Sequence, residues 1–186
     1  MVPLEQQMMM MVGLMPGRVA DDFTFELRSA PGKYRVGSMN MPVGFSIRAV
    51  RLGAADVTDS GVEVKPNEEL TGLEVELTNR ITTIAGVVTN ARGEAAKDYS
   101  AIVFAQDREQ WTATSRYRSS GRPDQDGRYR ITSLPPGRYY IVAIDHLEPG
   151  QASDPEFLER IHGKATAFSL SEGETKSIDL KLNSSS

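Results

Sequence analysis

The stretch that most constrains the fold runs from Gly127 to Ile144, GRYRITSLPPGRYYIVAI. Tyr129 and Ile131 alternate with Arg128, Arg130 and Thr132, the two-residue period of a strand with one buried face. Leu134-Pro135-Pro136-Gly137 then breaks the run. The proline pair fixes φ and removes two ladder donors, and Gly137 is free to take the positive φ that a tight corner often needs. Every residue from Tyr139 to Ile144 is apolar, which predicts a strand covered on both faces. The same design occurs earlier, as Gly32 to Ser38, a Met41-Pro42-Val43-Gly44 corner, and Phe45 to Val50. Matching Gly32 to Gly127 gives a period of about 95 residues, the size of a small β-sandwich. The chain therefore reads as two tandem units, residues 1–79 and 80–186.

Composition narrows the chemistry. At 39% hydrophobic and 25% charged the chain is an ordinary globular sequence, and its net charge of −4 comes from interspersed signs with no basic stripe. That argues against nucleic acid as a partner. It has no cysteine and only two histidines, His146 and His162, so disulfides, thiolate zinc sites and cysteine nucleophiles are excluded. A Ser-His-Asp triad or multi-histidine metal site has little to be built from. The first twenty residues carry Glu5 where a signal peptide would carry positive charge, and Met8 to Met15 is too short to span a bilayer. No export signal or membrane span is expected from this stretch.

Along the first unit, Met8 to Val12 is apolar without period; it reads as a buried strand, with an apolar tail as the alternative. Phe23, Phe25 and Leu27 alternate with polar residues across Asp22 to Arg28, predicting a strand. Further strands are expected at Tyr34 and Val36, at Phe45, Ile47 and Ala49, at Gly61 to Lys65, and at Leu73, Val75 and Leu77. In the second unit, strands are expected at Ile84, Gly86 and Val88, at Ala101 to Ala105 (AIVFA), and at Trp111 to Tyr117, with a polar loop from Arg118 to Gly127. Asp154-Pro155 opens and Gly163 stops the one helix the sequence predicts, with Phe157, Leu158 and Ile161 as its buried stripe. Phe168, Leu170, a Ser171-to-Glu174 turn, Ile178, Leu180 and Leu182 complete the unit. The opening strand of a sandwich this size lies about 40 residues before Gly127. The same distance before Gly32 falls ahead of Met1, so the first unit is expected to lack its opening strand. A sandwich without an edge strand exposes backbone and apolar surface, which a strand from another chain could cover.

The strand–LPPG–strand core, preceded by Asp124-x-Asp126-Gly127 and closed by the segment from Ser171 to Leu180, resembles the carboxypeptidase regulatory-like domains, which are transthyretin-like (prealbumin-like) β-sandwiches. Ile84 to Val88 is similar to that family's opening strand. Asp22 to Leu27, Val50 to Leu52 and Asp56 to Asp59 are similar to segments of large bacterial proteins that string such modules together. The resemblance covers most of the second unit and the latter part of the first. It implies two tandem transthyretin-like or Ig-like antiparallel sandwiches in an exported, cell-surface or periplasmic protein, with neighbouring repeats or other chains as partners. It implies no cofactor, and no activity, because the shared residues shape turns and cores. Two roles are open: a non-enzymatic spacer or binding module, possible ligands including glycans, or a structural subunit of an extracellular filament assembling by strand donation.

Three clusters could carry chemistry. Asp124-x-Asp126-Gly127 could begin a calcium loop but lacks the remaining ligands, and reads as a β-turn. Asp145, His146 and Glu148 share a loop and read as solvated. Trp111, Arg116, Tyr117 and Arg118 form an aromatic-basic cluster. Exposed rings can stack on sugars and arginine can hold carboxylates, so a ligand face, if the chain has one, is expected here; the competing reading makes Trp111 and Tyr117 core residues.

Overall fold

The structure, a computed structural model, describes residues 2–3, 19–37 and 41–184. It is all-β with one α-helix and divides into two compact units, Met1–Thr78 and Asn79–Ser186. Among its described residues no helix is long and apolar enough to cross a membrane.

The first unit contains β1 (Val2–Pro3), β2 (Gly32–Arg35), β3 (Ser46–Leu52), β4 (Ala55–Asp56), β5 (Val62–Val64) and β6 (Leu73–Thr78). They form two antiparallel sheets of three strands, β1-β2-β5 and β4-β3-β6. Tyr34, Ala49, Val50 and Val62 are buried. A bulge at Arg48 interrupts the pairing of β3 with β6 and moves Val50 onto the face of Ile47, opposite Val75, which is why Val50 is buried where strict alternation predicts it outward. The Thr58 hydroxyl accepts from the Val50 N–H at 2.8 Å and donates to Asp56 Oδ1 at 2.6 Å, tying the Asp56–Asp59 segment to β3.

Asp22 to Arg28 is not the predicted strand. The Asp22 carboxylate accepts from the Thr24 N–H and hydroxyl, Phe23 turns at φ 63° and is exposed, and the segment has isolated bridges, at Phe25 (to Val19) and at Arg28, in place of a strand ladder. An aspartate that bonds its own backbone offers a turn that overrides apolar alternation. The expected strand at Met8 to Val12 lies outside the described residues.

The second unit contains β7 (Thr83–Thr89), β8 (Ser100–Ala105), β9 (Arg118–Gly121), β10 (Arg128–Thr132), β11 (Gly137–Ile144), α1 (Pro155–His162), β12 (Thr166–Leu170), β13 (Thr175–Ser177) and β14 (Leu180–Asn183). The strand order is β10-β7-β14-β11-β8-β9, with β12 beside β11 and β13 beside β7. The pairings are antiparallel except at the closing strands: β13 runs parallel to β7, and β14 runs parallel to both β7 and β11, joining the two halves of the sandwich. Between those halves lies a core of Ile84, Val88, Val103, Tyr129, Ile131, Tyr139 and Ile141. On the far face of β8 and β11, Ile102, Phe104, Val142 and Ile144 pack against Phe157, Leu158 and Ile161 of α1. This second layer explains the unbroken apolar runs of AIVFA and Tyr139 to Ile144. Helix α1 starts and stops as its sequence predicts, the Asp154 carboxylate accepting from the Glu156 N–H at 3.0 Å.

Two glycines allow close approach. A methyl at Gly86 would fall 2.0 Å from the Ile178 carbonyl oxygen, and one at Gly121 would fall 3.0 Å from Ile131 and 3.3 Å from the Arg130 carbonyl. The second contact brings β9 against β10, so the two outermost strands converge at Gly121. At the LPPG corner the positive φ belongs to Ser133 (65°), and Gly137 instead begins β11 with the Tyr139 ring against it. Tyr139 donates to the Pro135 carbonyl at 2.6 Å, and Tyr34 likewise donates to the Ala30 carbonyl at 2.7 Å with Gly32 against its ring. The corners that share atomic detail are thus Ala30 to Tyr34 and Pro135 to Tyr139. Their tyrosines stand 105 positions apart, which corrects the register that matched Gly32 to Gly127.

Candidate functional site

The aromatic-basic cluster sits where the chain leaves β8 and returns as β9. Trp111 to Tyr117 does not form the predicted strand, and the strand begins at Arg118, inside the expected loop. Arg118 accounts for part of this: its guanidinium donates to the Thr112 carbonyl at 3.2 Å and the Ala113 carbonyl at 2.9 Å, holding the segment in a turn. Burial lowers the Arg118 pKa from its ordinary value.

Trp111 is only 7% exposed. Its Nε1–H donates to the Ala105 carbonyl at 2.7 Å and its ring meets Phe104 edge-on at 5.5 Å, while the Arg108 guanidinium lies 5.7 Å from the ring centroid and pairs with Glu159 at 2.7 Å. Tyr117 stacks toward Tyr139 at 6.5 Å, and Arg116 lies 5.1 Å over the Tyr117 ring and donates to its hydroxyl at 3.2 Å. The structure therefore brings all four residues into one region, with their polar atoms and rings engaged by the chain's own groups. What the arrangement does is pin the β8–β9 crossover to the core.

The other two clusters are local. Asp124 Oδ1 accepts from the N–H groups of Asp126 and Arg128, both at 2.9 Å, and the Gly127 N–H donates to the Asp124 carbonyl at 3.1 Å, so the segment is the expected β-turn. The turn also fixes Tyr99, whose hydroxyl donates to the Gly127 carbonyl at 3.0 Å; burial, aided by the Asp124 charge, pushes its pKa up to about 12. His146 Nε2 lies 2.8 Å from Glu148 Oε1 on an exposed loop. Among the described residues no group of three or more His, Asp or Glu side chains could hold a metal ion.

Sequence reasoning passed over one concavity. A hollow of about 290 Å³ at the start of β8 is lined by Ser100, Ser120, Arg122, Leu147, Glu148 and Ser153, among others. Its residues come from three separated segments and form no motif; the only signal is a run of small and polar residues at Ser119 to Arg122, opposite the Glu148-Pro149-Gly150 break.

No protein-family model matches the chain, and no curated protein matches it. Solved structures do. A streptococcal ancillary pilin is similar over 86% of this chain and 46% of its own, with TM-score 0.37 and 14% identity. BcpA, the major pilin subunit of Bacillus cereus, is similar over 54% of this chain and 28% of its own, at 0.33 and 12%. Catechol 1,2-dioxygenase from an Acinetobacter species is similar over 54% and 52%, at 0.31 and 12%. The chain spans less than two thirds of each. Likeness this low, shared between pilins and an oxygenase, carries no argument about what the chain does.

Proposed function

We propose that the chain is a non-enzymatic β-sandwich module of an exported or cell-surface bacterial protein, acting as a spacer or binding domain. The observation that supports this reading is the use made of the most chemistry-bearing cluster. Trp111, Arg116, Tyr117 and Arg118 direct their rings and donors at the chain's own carbonyls and aromatic neighbours, as a scaffold's residues do. The resemblance to carboxypeptidase regulatory-like repeats agrees, since its residues are corners and core. Further repeats or neighbouring chains are the partners this reading implies.

A specific observation favours a second reading, assembly by strand donation onto an exposed sheet edge of the first unit. Among the described residues the exposed large apolar side chains, Val19, Phe23, Val43, Phe45 and Leu77, all lie in that unit, and β6 pairs there with β3 alone. Unpaired strand edges beside apolar surface are what an added strand covers. Light scattering of the purified chain over a hundredfold range of concentration separates the two. A constant monomer mass supports the module, whereas mass that grows into oligomers or fibres rejects it in favour of the filament subunit.

A further inference from the structure

The hollow at the start of β8 is lined by serine hydroxyls and a guanidinium that the described residues leave without a side-chain partner. Ser100 is 94% buried by its 6% exposure, yet its hydroxyl makes no hydrogen bond to a described residue. Among the described residues no fully enclosed side-chain oxygen or nitrogen lacks a partner, so that hydroxyl reaches solvent, and Ser100 lines the hollow. The hydroxyls of Ser120 and Ser153 and the guanidinium of Arg122 also make no side-chain hydrogen bond or ion pair among the described residues. Glu148, whose carboxylate lies 2.8 Å from His146 Nε2, and Leu147 complete the lining.

Each group selects a feature of the ligand. Three hydroxyls and a carboxylate suit a molecule bearing several hydroxyls, since serine both donates and accepts while Glu148 accepts only. An unpaired guanidinium suits a carboxylate, which it holds with two parallel bonds. About 290 Å³ lies just below the usual range for small-molecule pockets, roughly 300–1,000 Å³, and so suits a single sugar ring. Beyond the hollow, Gly121 brings β9 against β10, where Arg128 and Arg130 are exposed on one face and likewise unpaired among the described residues. Side chains two apart on a strand stand about 6.6 Å from each other. Arg128 and Arg130 thus offer two further cations on the strand that Gly121 meets, with the Asp124 carboxylate accepting from the Arg128 N–H.

We propose that this hollow binds one uronic-acid residue of an acidic glycan, with the carboxylate on Arg122 and the ring hydroxyls on Ser100, Ser120, Ser153 and Glu148. The proposal rests on the binding-module reading of the second unit. Because the chain carries a net charge of −4, the attraction is local and falls with added salt.

Calorimetric titration of the full chain with tetragalacturonate, maltotetraose and poly-glutamate tests it. Tetragalacturonate is expected to bind, and Arg122→Met to weaken it about tenfold through loss of a charge-assisted bond. Arg122 is exposed, so the variant is expected to keep its fold, checked by circular dichroism. Ser100→Ala and Ser153→Ala should each weaken binding severalfold. No binding of tetragalacturonate overturns the proposal. So does equal affinity for neutral maltotetraose or for poly-glutamate, or an affinity that Arg122→Met leaves unchanged. Any of these failures leaves the module reading standing if the chain is still monomeric by light scattering.

Discussion

The two units are built around the same kind of corner yet differ in how much they bury. Among the described residues the second unit contributes twenty-three buried apolar side chains and the first contributes four. The second has a sheet with both faces covered, one by the opposing strands and one by α1; the first has two three-stranded sheets and, among the described residues, all the exposed large apolar side chains. Burial scales stability at roughly 25 cal/mol per Å² of apolar surface, so most of the stabilisation contributed by the described residues lies from Asn79 onward. A shared corner therefore sets how the chain turns, and the layers around it set how firmly it holds.

The largest effect should come from the doubly covered sheet. Phe104→Ala is expected to destabilise the second unit by about 3–5 kcal/mol, read from urea unfolding by Trp111 fluorescence, whereas Val50→Ala in the first unit should leave that transition in place. If Val50→Ala lowers the Trp111 transition as much as Phe104→Ala does, the two units unfold as one and the contrast fails. Next come the paired tyrosines. Tyr139→Phe strands the Pro135 carbonyl and should destabilise the second unit by about 1–3 kcal/mol in the same assay. Tyr34→Phe should act similarly on the first, read from amide exchange in β2 and β5; a silent Tyr34→Phe would show that the corners share geometry without sharing importance. Asp154→Ala removes the cap of α1 and should destabilise by about 1 kcal/mol.

The smallest effect near neutrality is a titration. The pKa of Tyr99 is raised in the folded state from an ordinary value of 10 to about 12. A group that holds its proton more tightly when folded contributes stability that is complete below pH 10 and is lost as pH rises toward 12. Alkaline unfolding followed by circular dichroism should therefore set in above pH 10, and Tyr99→Phe should flatten the loss between pH 10 and 12. An unchanged slope in that variant would assign the alkaline sensitivity elsewhere.

Much of the second unit is legible in the sequence because its signals are redundant. In Asp154 to Gly163, cap, proline, apolar stripe and stop all point to one helix. In Tyr139 to Ile144, an unbroken apolar run matches burial on two faces. The misreadings occur where a side chain competes with periodicity: Asp22 bonding Thr24, and Arg118 bonding the carbonyls of Thr112 and Ala113. Both bonds hold turns where alternation or aromatic content suggested strands. Leu134 to Gly137 is legible as a break between β10 and β11, but its positive φ lies at Ser133 and its tyrosine-to-carbonyl bond, shared with Ala30 to Tyr34, carries no sequence signature beyond Gly-x-Tyr. The hollow was invisible because Ser100, Arg122 and Glu148 come together only through the fold.

The closing strand β14 has a consequence for synthesis. It lies between β7 and β11, yet it is assembled from residues 180–183, almost a hundred positions after β7 begins. A ribosome making this chain must pass Asn183 before the halves of the second unit can be stitched together, so the unit completes its fold late, when nearly all of its own sequence has been made. A chain halted at Ser177 would carry the helix and almost every core residue and still be left with an open seam.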